Sequence, residues 1–199
     1  MDAVKRTVVS ASLDQTLKFW DMHSHEHLHT EELGSPACQL LLNRDAGLVA
    51  VASDDVVVRV YDLGNRRLVR RFGGHRHRIS DLAFSPDVRW LASSSMDGTV
   101  RVYDVPTAKC VDWLKFQSPV TSLCFSPSGE FLTTTHAGSV ALFQWANRFY
   151  YIALTALTAL IANCQHPPSR SSRSYFSEVF LDQAPSCLLY TSPSPRDRG

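Results

Sequence analysis

The 199-residue chain is 44% hydrophobic and 20% charged, the composition of a globular protein of one or two domains, which excludes a wholly disordered chain and a membrane bundle. Twenty Lys and Arg stand against 19 Asp and Glu, a net charge of +1, so any charge-driven binding to nucleic acid, lipid or an acidic substrate has to be local. The five cysteines, Cys38, Cys110, Cys124, Cys164 and Cys187, are widely spaced and odd in number, which suggests neither a disulfide framework nor a zinc pair and fits a reducing compartment.

The first residues, MDAVKRTVVSAS, carry no apolar core behind their positive charges and do not read as a signal peptide. From there the chain repeats. The segments Ser10 to Asp21, Ala50 to Asp62, Ala92 to Asp104 and Leu132 to Gln144 align, with an aromatic marker at Trp20, Tyr61, Tyr103 and Phe143 and spacings of 41, 42 and 40. Each unit has a β-rich run, a turn and an alternating run such as Thr99-Val100-Arg101-Val102-Tyr103, with Val100 and Val102 on one face and Arg101 and Tyr103 on the other. Upstream of two units, LAFSPDVRWLASSS and LCFSPSGEFLTTT each give strand, Ser-Pro turn and strand.

Between the first two units His23, His25, His27 and His29 alternate. Side chains two apart share a face in an extended segment, but without a Cys or a rigid partner this reads as a solvated loop, and no metal site is expected. After the second unit, Arg66, Arg67, Arg70, Arg71, Arg76 and Arg78 fall on a predicted outermost strand and the loop after it. This is the best local basic patch and the candidate RNA- or partner-binding strip; its alternative role is to keep an edge strand soluble. No phosphate-binding glycine motif is present, so no cofactor and no small-molecule substrate are expected.

His75, Ser95 and Asp97 invite a Ser-His-Asp hydrolase reading. The repeat opposes it. Ser12, Asp14 and Trp20 copy most of the set in the first unit, and Ser53, Asp55 and Tyr61 copy it in the second, both without a His; a catalytic site is not copied in fragments along a chain. No enzyme activity is expected. The fourth unit has Ala137 where the Asp falls, so packing should hold that blade.

Gly74-His75, the turns Phe84-Ser85-Pro86 and Phe125-Ser126-Pro127, Asp97-Gly98 and the endings Trp20-Asp21, Tyr61-Asp62 and Tyr103-Asp104 resemble WD repeats. That resemblance implies a β-propeller of four-stranded blades. It also implies a buried hydrogen-bond network through His75, Ser95, Asp97 and Tyr103, with its partial copies in the other units.

Arg89-Trp90-Leu91, Met96-Asp97, Asp104 with Pro106, Asp112, Pro119, Gly129, Phe131-Leu132, Thr135-His136 and Trp145 with Asn147 are similar to the last blades of a second propeller in WD-repeat subunits of the small-subunit processome. Val88 departs from that pattern, standing where Gly is usual. The resemblance implies a nuclear, nucleolar scaffold that supports pre-rRNA processing and 18S rRNA maturation. Its partners would be other processome proteins, namely UTP-B subunits, and pre-rRNA or U3 snoRNA. A generic WD adaptor, either substrate receptor or signalling scaffold, is the alternative.

The expected fold is therefore an all-β WD-repeat propeller fragment of about three and a half to four blades over residues 1–150, an incomplete ring with exposed apolar edges that is prone to aggregate. Residues 151–186 are expected to hold a short helix at 152–162, where Leu154, Leu157 and Ile161 recur at helical spacing, and to be disordered beyond it. The apolar stretch from Tyr150 to Ala162 is too short to span a membrane. Residues 187–199 read as a disordered tail or the translation of a sequencing-library adapter, which Cys187 to Asp197 match.

Overall fold

The computed structural model describes residues 6–147 and 176–178. The expected helix at 152–162 and the segment 187–199 lie outside the described residues. Fifteen strands form four antiparallel sheets: β1 (Thr7–Ala11), β2 (Thr16–Asp21) and β3 (His27–Glu32); β4 (Ala37–Asn43), β5 (Leu48–Ser53), β6 (Val58–Asp62) and β7 (Arg67–Phe72); β8 (Ile79–Phe84), β9 (Trp90–Ser95), β10 (Thr99–Asp104) and β11 (Lys109–Lys115); β12 (Val120–Phe125), β13 (Phe131–His136), β14 (Leu142–Asn147) and β15 (Phe176–Glu178). Each sheet is one propeller blade, and the four follow one another in an open arc. In the first, β1 matches the second strand of the later blades.

Alternation along the strands fills the seams between blades. Leu17, Phe19, Val49, Val51 and Tyr61 pack between the first and second blades; Ala50, Val58, Val60, Phe72, Leu82, Leu91 and Tyr103 between the second and third; Trp90, Ala92, Val100, Val102, Val120, Leu123 and Leu132 between the third and fourth. Val100 and Val102 thus face one neighbour and Tyr103 the other, as a period of two requires. Each fully buried Val or Leu contributes about 1.5–3 kcal/mol.

Local backbone geometry repeats with the blade. Four residues after each strand-ending Asp, at His25, Arg66 and Ala108, φ is +58°, +54° and +59°. After the inner-turn Asp, Gln15, Val56 and Gly98 have φ of +68°, +57° and +73°. In the turn between the first two strands of a blade, Gly47, Val88 and Gly129 have φ of +65°, +58° and +76°. Val88 is therefore a β-branched residue in the left-handed region, which glycine occupies without strain.

The inner strands β4, β8 and β12 share a bulge at Cys38, Ser80 and Thr121. Just past it Asp81 joins three blades. One carboxylate oxygen accepts from Gln39 Nε2 (3.1 Å) and Leu82 N (2.9 Å), the other from Ser122 Oγ (2.5 Å) and Leu123 N (3.0 Å).

One expectation changes. The fourth-blade aromatic aligned with Tyr103 is Trp145, not Phe143: Trp145 pairs with Leu132 as Tyr103 pairs with Leu91. The connection β13–β14 runs over 137–141, against 96–98 for β9–β10. An ungapped alignment therefore slips by two residues, a slip that preserves strand face. Residues 176–178 pair with β14 and cover part of its outer edge.

Candidate functional site

The residues singled out in the sequence fall into a buried lock within each blade and a basic outer rim. In the third blade the loop after β7 carries His75 inward, where its side chain is 0% exposed. Its Nε2 lies 2.6 Å from Ser93 Oγ; its Nδ1 lies 3.1 Å from Thr99 Oγ1 and 3.3 Å from Asp97 Oδ2. The Tyr103 phenol donates to Gly73 O at 3.4 Å, at the start of the loop that carries His75. Asp97 accepts from Thr99 N (2.8 Å), Thr99 Oγ1 (2.5 Å) and Arg76 N (2.9 Å).

The directions form one chain: Ser93 donates to His75 Nε2, and His75 Nδ1–H to Thr99 and the Asp97 carboxylate, a tautomer assigned by this network, while the Tyr103 phenol donates to Gly73 O. Burial holds the His75 imidazole below its ordinary pKa, against the pull of Asp97, so it is neutral at pH 7. Burial pushes Tyr103 up to about 12. Burial also opposes ionisation of Asp97, but the donors from Thr99 and Arg76, with His75 beside them, hold its carboxyl down to about 2.

The serine against His75 is thus Ser93 and not Ser95. Ser95 Oγ donates to His77 O at 2.8 Å and accepts from Asp97 N at 3.2 Å, fixing the turn instead. The two serines lie two apart on β9 and share a face, so alternation does not separate them. Ser93 is 0% exposed, so the one serine hydroxyl at the imidazole is closed to any substrate.

The other blades use different side chains at the same place. In the first, Trp20 Nε1 donates to Ser10 Oγ at 3.0 Å; Ser12 Oγ accepts from Asp14 N, and Asp14 accepts from Thr16 and faces Lys18 Nζ at 3.8 Å. In the second, Val51 occupies the place of Ser93. Arg59, 4% exposed, donates to Ser53 Oγ (3.2 Å) and to both Asp55 oxygens (3.1 and 2.5 Å), while Tyr61 packs in the seam. Hydrogen bonds and charge from Arg59 outweigh burial and lower the Asp55 pKa.

The fourth blade has its own chain: Trp145 Nε1 donates to Thr134 Oγ1 (3.0 Å), which lies 3.0 Å from His136 Nε2. His136 is buried among Phe116 and Phe143, with ring centroids at 4.6 and 4.7 Å, and bonds the backbone at Ser118. Packing is therefore joined there by a polar chain that Ala137 does not reveal. Sequence reasoning missed Ser10, Ser93, Thr134, His136 and Arg59. The signal for Arg59 was an Asp with a base four residues on, at Asp14/Lys18, Asp55/Arg59 and Asp97/Arg101.

The arginine strip lies where the pattern put it but is not uniform. Arg66 sits in the turn before β7, Arg67, Arg70 and Arg71 on β7, and Arg76 and Arg78 in the loop after it. Arg70 is committed: its Nε donates to Val105 O (3.0 Å) and its Nη2 to Pro106 O (2.9 Å), tying the second blade to the third. Arg67, Arg71, Arg76 and Arg78 are exposed. The histidines separate, with His27 Nε2 2.7 Å from Thr30 Oγ1 and His29 Nε2 3.4 Å from Glu31; among the described residues no three metal-ligating side chains gather.

Comparison with known proteins accounts for this arrangement. The family model of the WDR36/Utp21 second beta-propeller domain matches residues 1–168. The chain is 38% identical over 159 residues to the U3 small nucleolar RNA-associated protein 21 homolog of Schizosaccharomyces pombe, covering 79% of this chain and 18% of that protein. It is 35% identical over 151 residues to the human WD repeat-containing protein 36 (76% and 17%), and 34% identical over 158 residues to the U3 small nucleolar RNA-associated protein 21 of Saccharomyces cerevisiae (79% and 17%). The chain thus spans under a fifth of the length of these relatives. With the repeat, the blades and the matched residues in agreement, the chain belongs to the WDR36/Utp21 second beta-propeller family.

Proposed function

We propose that the chain serves as a non-catalytic WD-repeat scaffold in the small-subunit processome, supporting pre-rRNA processing and 18S rRNA maturation in the nucleolus. The observation that carries this reading is its similarity, over 159 and 158 residues, to two proteins named for association with U3 small nucleolar RNA. The buried Ser93–His75 pair supports the non-catalytic part, since a nucleophile needs access to substrate and this one has none. Other processome proteins, UTP-B subunits among them, are the proposed partners, and the exposed members of the arginine strip face pre-rRNA or U3 snoRNA. His75, Ser93, Asp97 and Tyr103 hold the third blade in shape for those contacts.

Tagging the chain in cells and recovering its complexes under mild salt tests this. Co-purification of U3 RNA and processome proteins is the expected result. Recovery of ligase or signalling components without U3 RNA would replace this reading with that of a generic adaptor. Charge removal at Arg67 and Arg71 probes the strip more cleanly than at Arg70, whose side chain also fastens two blades.

A further inference from the structure

One exposed side chain on the outer rim is explained by neither the blade locks nor the arginine strip. Trp113 lies on β11, the outermost strand of the third blade, and is 55% exposed. Register fixes its surroundings. Trp113 pairs with Arg101 and Lys115 pairs with Thr99, so all four lie on the sheet face that looks toward the second blade, the face from which Thr99 meets His75. The Arg101 guanidinium lies over Gly74, so closely that a Cβ there would come within 2.7 Å of Nη1. Gly74 opens the loop carrying Arg76 and Arg78. At the other end of the strands Arg70 fastens β7 to Val105 and Pro106. The indole therefore stands on the outer strand of a blade that Arg70 fastens to its neighbour.

The charge of this rim is one-sided. Residues 66–78 contain six arginines and no acid. Residues 105–118 contain Lys109 and Lys115, and their one acid, Asp112, is buried with its carboxylate accepting from Trp113 N at 2.8 Å. An accessible aromatic face set among cations, with acidic charge withdrawn, is the chemistry of single-stranded nucleic acid: every base offers a π-face, and every linkage a phosphate. An apolar protein partner would leave these cations unpaired.

We propose that the rim between the second and third blades is a single-stranded RNA site in which one base stacks on Trp113 and the neighbouring phosphates are met by Lys115 and Arg76. The inference rests on the reading of this chain as an RNA-facing scaffold and adds to it the platform residue and the path of the strand.

The test is titration of the full chain with a fluorescein-labelled single-stranded oligouridylate, followed by anisotropy at two salt concentrations. Trp113→Ala is expected to weaken binding by about 5- to 150-fold, the range for one stacked base, while Trp113→Phe retains most of the affinity. Lys115→Ala is expected to weaken binding and flatten the salt dependence by about one phosphate contact. Because Trp113 is more than half exposed, both Trp variants should unfold at the wild-type urea midpoint. RNA binding lost with Arg67→Ala/Arg71→Ala but untouched by Trp113→Ala would overturn the stacking role and leave the RNA-facing reading standing. No RNA binding by the wild-type chain would overturn both, whereas loss of a co-purifying protein from Trp113→Ala with RNA affinity intact would overturn the stacking role alone and make Trp113 a protein contact.

Discussion

Replacing Ser93 by Ala should cost the third blade far more than replacing Ser95, although sequence alone offers both as partners of His75. Ser93 Oγ is fully buried and 2.6 Å from His75 Nε2. Its removal leaves the buried imidazole nitrogen without a donor. One stranded group, at about 1–3 kcal/mol for a buried unsatisfied atom, gives a loss toward the upper end of that range because the imidazole has no exposure. Ser95→Ala removes bonds to His77 O and from Asp97 N, at the partly exposed edge of the turn, for about 0.5–1.5 kcal/mol. Urea unfolding followed by tryptophan fluorescence reads the difference as a midpoint shift at unchanged slope. In a double-mutant cycle, Ser93→Ala with His75→Ala should cost less than the sum of the two, because the second change removes the group that the first left stranded. A Ser95→Ala shift equal to or larger than that of Ser93→Ala, or strict additivity in the cycle, would refute the pairing of Ser93 with His75.

Val88→Gly is expected to stabilise the chain by about 0.5–1 kcal/mol, since relief of roughly 1–2 kcal/mol of left-handed strain exceeds the extra unfolded-state freedom of glycine. The reverse change at the matching turn, Gly129→Val, should destabilise by about 1–2 kcal/mol, and melting temperatures that move the other way would contradict the strain. Acid should destabilise the fold in two windows. His75 and His136 have lowered pKa values and are folded neutral, so the unfolded chain takes up their protons first; their contribution is present above pH 6.5 and declines as pH falls below it. Asp97, held at about 2, contributes up to about 2 kcal/mol that is present above its unfolded pKa near 3.8 and is lost as pH falls from there toward 2. Urea midpoints measured from pH 7.5 to 5.0 should fall in the wild type and fall less in His75→Ala; parallel curves would count against a buried neutral His75.

The repeat, the strand alternation and the blade seams were legible in the sequence because hydrophobic period and turn chemistry are local. Val100 and Val102 had to face one neighbour and Tyr103 the other whatever the partners were. The site was legible only to within two residues. Ser93 and Ser95, and Phe143 and Trp145, are pairs that share a strand face, and deciding within such a pair needs cross-strand register, which the length of the β13–β14 turn sets. Arg59 and His136 were missed for another reason. Each reaches the lock from a strand within its own blade, whereas His75 reaches it from the preceding loop, so a search for a His before each blade passes over both.

The substitution pattern also bears on where specificity resides. Each blade must satisfy polar groups where the loop before it meets its inner turn, and different side chains achieve this: His75 with Ser93 in one, Arg59 with Asp55 in another, His136 with Thr134 in a third. A place that accepts an imidazole from either direction, or a guanidinium, constrains hydrogen-bond satisfaction rather than the identity of a ligand. Such locks make the arc rigid, and rigidity serves any partner equally. Discrimination must then come from surfaces that differ between blades. Of these, the second and third blades present the most distinct combination: an outer strand with exposed Arg67 and Arg71 beside one with a half-open Trp113. The Arg70 latch serves the arc itself, since the guanidinium that reaches Val105 O and Pro106 O ties the second blade to the third.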